Sequence, residues 1–260
     1  MPDFSQYPLG KDPAKVDSLT LMMERVLLPA DELPVIPYYY TFKSNHDIPF
    51  GCFGNDHWGC CVRTGIANQT LAFEDDEQNV VLDISTEEVL KKYWNQQGWR
   101  CWMKKPVPGG RFDNGLNTLS TLADARKNGW KVKGKTYKIH AYGLVNQCDP
   151  QAVKTGCYLL NGLLVGLTLP LTAQDQIGKV WEVVDKPGNQ PNSWGGHLVF
   201  MMDFPDGIPH VMTWGKSQEM TWDFLARYCD ELFAVVDNKN SKASLLNLPE
   251  LEKYLKAVGK

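Results

Sequence analysis

The chain lacks any cluster of basic residues: its 27 Lys and Arg are scattered among 30 Asp and Glu, for a net charge of −3 over 260 residues. Proteins that track phosphates concentrate positive charge on one face or segment, so nucleic acid is not an expected partner. Long hydrophobic runs are missing as well. The best, Leu159 to Leu171, is broken by Asn161, two glycines and Pro170. It falls short of the ~20 apolar residues that span a bilayer, so no membrane association is expected. The opening Met1-Pro2-Asp3-Phe4-Ser5 has neither the basic nor the apolar stretch of a secretion signal. Cysteine is thin: seven residues (52, 60, 61, 101, 148, 157, 229), an odd count without the dense spacing of a disulfide scaffold. Most are expected to be free, structural thiols. Cys52, His57, Cys60 and Cys61 make poor tetrahedral spacing and no second ligand pair follows, so no metal is expected. His46, His140 and His210 read as surface or satisfied polar residues. Repeats and low-complexity tracts are absent.

What is present reads as helices followed by strands. Residues 1–50 are rich in proline, with one amphipathic stretch at Ser18 to Leu28, and suggest an extended N-terminal arm wrapped on a core. From Cys61 the pattern changes: Val62, Ile66, Ala67 and Leu71 fall near one helical face, which places a helix start at or beside Cys61. Ser85-Thr86-Glu87-Glu88 is a capping box, in which Ser85 and Glu88 satisfy each other's exposed amides ahead of Val89, Leu90, Tyr93 and Trp94. A third helix is expected from about Asn114 to Asn128 and a fourth from Pro150 to Asn161, capped by Asp149. Leu163 to Leu169, His197 to Phe204, Ile208 to Trp214 and Leu232 to Asp237 have strand character, the middle pair joined at Pro205-Asp206-Gly207. Short helices are expected at Thr221 to Cys229 and Asn247 to Val258. Segregated helices and strands give an α+β fold: a domain over 51–240, the arm over 1–50 and a helical tail over 241–260.

A thiol attacks only as thiolate, and a helix N-terminus or an imidazolium partner lowers its pKa. Cys61 has the first by position. Asn55, six residues earlier, supplies an amide side chain, and Gly59 a small residue at the turn into the helix, the layout of an oxyanion hole. Far off in sequence, Trp194-Gly195-Gly196-His197 sets a histidine at the start of a hydrophobic strand behind two glycines. A strand returns through Met212-Thr213-Trp214-Gly215, with Thr213 sixteen residues after His197.

In order and spacing these segments resemble the papain-like cysteine peptidases. More narrowly, Gly54-Asn55-Asp56-x-x-Gly59-x-Cys61, Asp113-Asn114-Gly115, Trp194-Gly195-Gly196-His197, Thr213-Trp214-Gly215 and Tyr228-Cys229-Asp230-Glu231 look like a group of papain-like proteins common in bacteriophage genomes. The resemblance spans residues 50–240. It implies a papain-like fold, with an N-terminal helical part carrying Cys61 as nucleophile and a C-terminal antiparallel sheet carrying His197 as general base and then acid. Asn55 stands in place of the oxyanion glutamine, one methylene shorter. The family's imidazole-orienting Asn or Asp has no match here: Met212 or Thr213 occupies that place, and Thr213 hydrogen-bonds more weakly than a carboxylate. Asp203 and Asp206 near the following hairpin are alternative orienting acids, although turn chemistry accounts for Asp206.

The resemblance implies a thiol hydrolase of peptide or isopeptide-like amides, requiring no cofactor, in a host cytoplasm or a virion. The rival from another class is a virion or assembly protein that keeps the fold but not the activity, with virion proteins as partners. The nine tryptophans suggest a sugar-binding face less readily than packing beside a groove.

Overall fold

The computed structural model describes residues 6–15, 20–29, 31–237 and 245–257. Its elements follow the expected order: α1 (Cys61–Gln78), α2 (Thr86–Gln96), α3 (Thr118–Lys127), a hairpin of β1 (Trp130–Val132) and β2 (Lys135–Tyr137), β3 (Ile139–Leu144), α4 (Pro150–Leu159), β4 (Leu163–Leu169), β5 (Gly195–Asp203), β6 (His210–Thr213), β7 (Lys216–Glu219), α5 (Trp222–Tyr228), β8 (Cys229–Asp237) and α6 (Leu248–Ala257). Six strands form one sheet in the order β3-β8-β4-β5-β6-β7, antiparallel at every pairing.

Local chemistry explains most boundaries. Ser85 accepts from the Glu88 amide while the Glu88 carboxylate accepts from the Ser85 amide, so the capping box starts α2. Asp149 caps α4, with Pro150 in its first turn, and Thr221 caps α5. The third helix starts later than its apolar register suggested, at Thr118, because Asn117 takes the capping role through the Ser120 amide. Sequence periodicity missed β1, β2, β3 and β7. The first two are three residues each, joined by Lys133-Gly134 with both φ positive (47° and 84°), the backbone of a two-residue hairpin loop.

α1 departs from the amphipathic reading. Val62, Ile66, Ala67 and Leu71 are buried, but so are Arg63, Asn68, Gln69, Glu74 and Asp75, because the helix is enclosed on all sides. Its polar residues fasten surrounding segments. Asn68 accepts from the Gly51 amide and donates to the Gly51 carbonyl. Asp75 accepts from the Asn45 amide and pairs with His46 at 2.7 Å. Of the Ser18 to Leu28 stretch, residues 18 and 19 lie outside the described residues, and the remainder holds one 3-10 turn, Met23–Arg25. Met22 pairs with Leu144 and Leu27 with Leu246.

Candidate active site

The first turn of α1 meets the start of β5. Cys61 is the first residue of α1 and fully buried, and the backbone amides of Leu198, Gly10 and Val62 lie near enough to its sulfur to favour the thiolate. Leu198 is the residue after His197, so the thiol lies beside the histidine's strand. His197 is also fully buried. Its Nε2 lies 2.7 Å from the Thr213 hydroxyl, and its Nδ1 has no hydrogen-bond partner. Of the two residues open at the orienting position, Thr213 is therefore the one that reaches the imidazole. Asp203 is engaged elsewhere, accepting from the Phe42 amide, and Asp206 pairs with His210 at 3.0 Å.

Trp214 covers the other face of the imidazole, ring on ring at 4.5 Å with 16° between the planes. The two-residue loop between β6 and β7 makes this possible. Thr213 and Lys216 are paired, and Trp214 and Gly215 between them both have positive φ (46° and 74°). For tryptophan that conformation is strained, and its surroundings hold it there: Trp194, Tyr7 and Trp181 all pack on the indole.

Asn55 is buried, and its Nδ2 donates to the Trp58 carbonyl at 2.9 Å, which ties down the loop that delivers Cys61. One amide hydrogen is spent on that bond and the second is free for another acceptor. Sequence reading overlooked Asp113 as the second brace of this loop. It accepts from the Gly59 amide (2.9 Å) and the Tyr93 hydroxyl (2.7 Å), and the same hydroxyl accepts from the Gly115 amide at 3.1 Å. Asp113 stood inside a quoted motif, but nothing in that motif gave it a role. Cys60 faces inward, 3.8 Å from the Phe53 carbonyl, and all seven cysteines are free.

Composition fits a groove-covering arm and an assembly arm equally; in the structure residues 10–12 run through this site. The Gly10 carbonyl accepts from the Leu116 amide (2.8 Å), the Asp12 amide donates to the Leu116 carbonyl (3.0 Å), and the Lys11 amide donates to the Gly196 carbonyl (3.0 Å). The fit depends on glycine: a Cβ on Gly10 would stand 1.8 Å from the Gly59 oxygen, and one on Gly196 2.1 Å from the Lys11 oxygen. Gly10 thus sits over Cys61, and Lys11 beside the residue preceding His197.

The electrostatics follow from this closure. Burial pushes the Cys61 thiol up, against the nearby backbone amides and the Lys11 ammonium. Burial, with the same ammonium, pushes His197 down to about 3. Both shifts favour the uncharged forms, a Cys61 thiol and a neutral His197 imidazole, rather than the charged forms that helix position alone suggests. Cys52, His57, Cys60 and Cys61 do not gather as a metal cluster; among the described residues, Asp206, His210 and Glu219 do come within ligand distance of one another, at the far hairpin.

No protein family and no curated protein matches the sequence. Solved structures do. Xylellain, a cysteine protease from Xylella fastidiosa, superposes with a TM-score of 0.62 at 14% identity, over 89% of this chain and 97% of its own. A proCathepsin B from Trypanosoma congolense gives 0.55 at 13%, over 91% and 88%, and a cysteine protease from Carica candamarcensis 0.50 at 13%, over 73% and 93%. The fold of this chain is that of the papain-like cysteine proteases, α+β.

Proposed function

We propose that the chain is a thiol-dependent peptidase or amidase held latent by its own arm, with Cys61 as nucleophile and His197 as general base and then acid. The observation that carries this is the His197 environment. Its Nε2 is committed to Thr213, one face is covered by Trp214, and Nδ1 is left without a partner beside the helix start that bears the thiol. In the reaction the thiolate adds to the substrate carbonyl carbon. The oxyanion is held by the Cys61 amide and the free Asn55 amide hydrogen, and His197 delivers the thiol's proton to the leaving amine. Water then cleaves the thioester, with His197 as base. Thr213 positions the ring. Peptides or proteins are the substrates, and the chemistry asks for no cofactor.

The rival reading, a catalytically silent protein of phage assembly with this fold, draws on the full burial of both residues. One experiment separates the two. Iodoacetamide alkylation of Cys61 is followed across pH in wild type, Gly10→Ala and Gly10→Ala/His197→Ala, with the site read by peptide mass. Gly10→Ala unseats the arm by steric conflict with Gly59. We expect wild type to react slowly and only at high pH, Gly10→Ala to react with a thiolate titrating well below the ~8.5 of free cysteine, and the double variant to lose that depression. A Cys61 that stays inert in all three sinks the enzymatic reading.

A further inference from the structure

The side chain of Lys11 is fully enclosed, a rare state for lysine, and it is enclosed with acids. Its Nζ lies 2.9 Å from Asp230 Oδ2, 3.5 Å from Glu231 Oε1 and 3.1 Å from the Asp12 carbonyl. Asp230 is also bound by the Ala14 amide at 3.3 Å. The Glu231 side chain is itself fully buried, at the head of β8. Room for it comes from Gly166 on the neighbouring strand: a Cβ there would stand 2.4 Å from Glu231 Cγ and 3.1 Å from Lys11 Cδ. Gly196, whose carbonyl takes the Lys11 amide, closes the third side. Two carboxylates thus face one ammonium in a slot without side-chain bulk, next to the nucleophile.

We propose that this slot is a specificity pocket for a lysine side chain of the substrate, and that Lys11 fills it as a built-in stand-in. The inference rests on the reading of Cys61 as nucleophile and adds the substrate class. The backbone argument and the side-chain argument agree. The arm hydrogen-bonds to Leu116 and Gly196 as an extended peptide does, and between those two anchors its side chain at position 11 drops to Glu231. A peptide taking the same anchors presents a side chain to the same slot. Apolar side chains would leave the enclosed Glu231 carboxylate, with the partly exposed Asp230 beside it, without a counter-charge, which costs more than their own burial gains. The slot therefore discriminates by rejecting uncharged side chains as much as by attracting cations.

Two measurements test this on the full-length chain. In Lys11→Ala the slot is vacated, and millimolar n-butylammonium should raise the melting temperature of that variant but not of wild type, whereas butan-1-ol should raise neither. In Gly10→Ala, Cys61 should be labelled by a tripeptidyl chloromethyl ketone carrying lysine at the matching position about tenfold to a hundredfold faster than by its norleucine counterpart, a preference that Glu231→Gln erases. Labelling by both ketones at equal rates, with butylammonium inert, overturns the pocket while leaving the thiol chemistry standing. Rescue by butylammonium with no labelling of Cys61 by any electrophile supports the cation slot and removes the peptidase. If Glu231→Gln does not fold, the comparison of the two amphiphiles on Lys11→Ala still decides.

Discussion

His197 depends on one short contact for its orientation. The Thr213 hydroxyl at 2.7 Å holds Nε2, at the place where the sequence offered Met212 or Thr213 in lieu of an Asn or Asp. A hydroxyl is both donor and acceptor, so it can follow either ring tautomer. Thr213→Val keeps the β-branched shape on β6 while deleting that contact. We expect Cys61 alkylation in the Gly10→Ala background to slow by about tenfold, from about 1.4 kcal/mol of lost positioning, with little change in the pH at which the rate rises. A structural role alone would instead lower the melting temperature and leave the rate at folded temperatures unchanged.

The three helices around Cys61 are locked by charge as well as by apolar packing. Arg63 on α1 donates to Gln96 on α2 at 3.0 and 2.6 Å and pairs with Asp124 on α3 at 2.6 Å, and Lys92 joins the same carboxylate at 2.8 Å. Burial works to raise Asp124, but hydrogen bonds from Asn128 and Lys92 and the Arg63 guanidinium bring it down to about 2. Removing the carboxylate leaves an almost fully enclosed guanidinium with only Gln96. Asp124→Ala should cost about 2–3 kcal/mol in urea unfolding, below the usual figure for a broken buried pair because Asp124 keeps 24% exposure. α2 was legible because Ser85 and Glu88 state its start in the sequence, and β4 because the residues of Leu163–Leu169 on either side of Gly166 are all apolar or β-branched. β3 was not: its one neighbouring strand in the sheet is β8, almost a hundred residues later, and its other backbone contact is with the distant arm at Leu21 and Met22. Near the site, the placement of Cys61 at a helix start, of His197 on a strand and of Thr213 on the strand that returns beside it was legible from residue type and spacing, while their joint action is the proposal made above. Gly10, Lys11, Asp113 and Glu231 were not, because their roles consist of contacts between distant segments with no local pattern.

The interior of the whole molecule keeps an ionisable ring neutral, and this should appear in the pH dependence of folding. His197 is pushed from 6.5 to about 3, so the unfolded chain takes up a proton that the folded chain refuses between those values. Stability from this group is complete above pH 6.5 and is lost as pH falls towards 3. Glu231 and Asp203, both raised chiefly by burial, act in the opposite direction, so the contribution must be read as a difference. Between pH 6.5 and 4.5, wild type should lose about 2–3 kcal/mol relative to His197→Gln, measured by urea midpoints at matched ionic strength. Equal slopes would mean that the imidazole is hydrated in solution.

The arm's anchors lie far along the chain: Pro13 is held by Asn117, 104 residues on, and Lys11 by Asp230, 219 residues on. Because guard and groove share one polypeptide, their meeting is unimolecular. A segment tethered on the same chain presents its end at an effective concentration of about a millimolar, so under the proposed function the arm would outcompete dilute peptides even with a weak intrinsic grip. One cut in the connection between Pro13 and Cys61 would turn that guard into an ordinary peptide, subject to dilution like any other competitor.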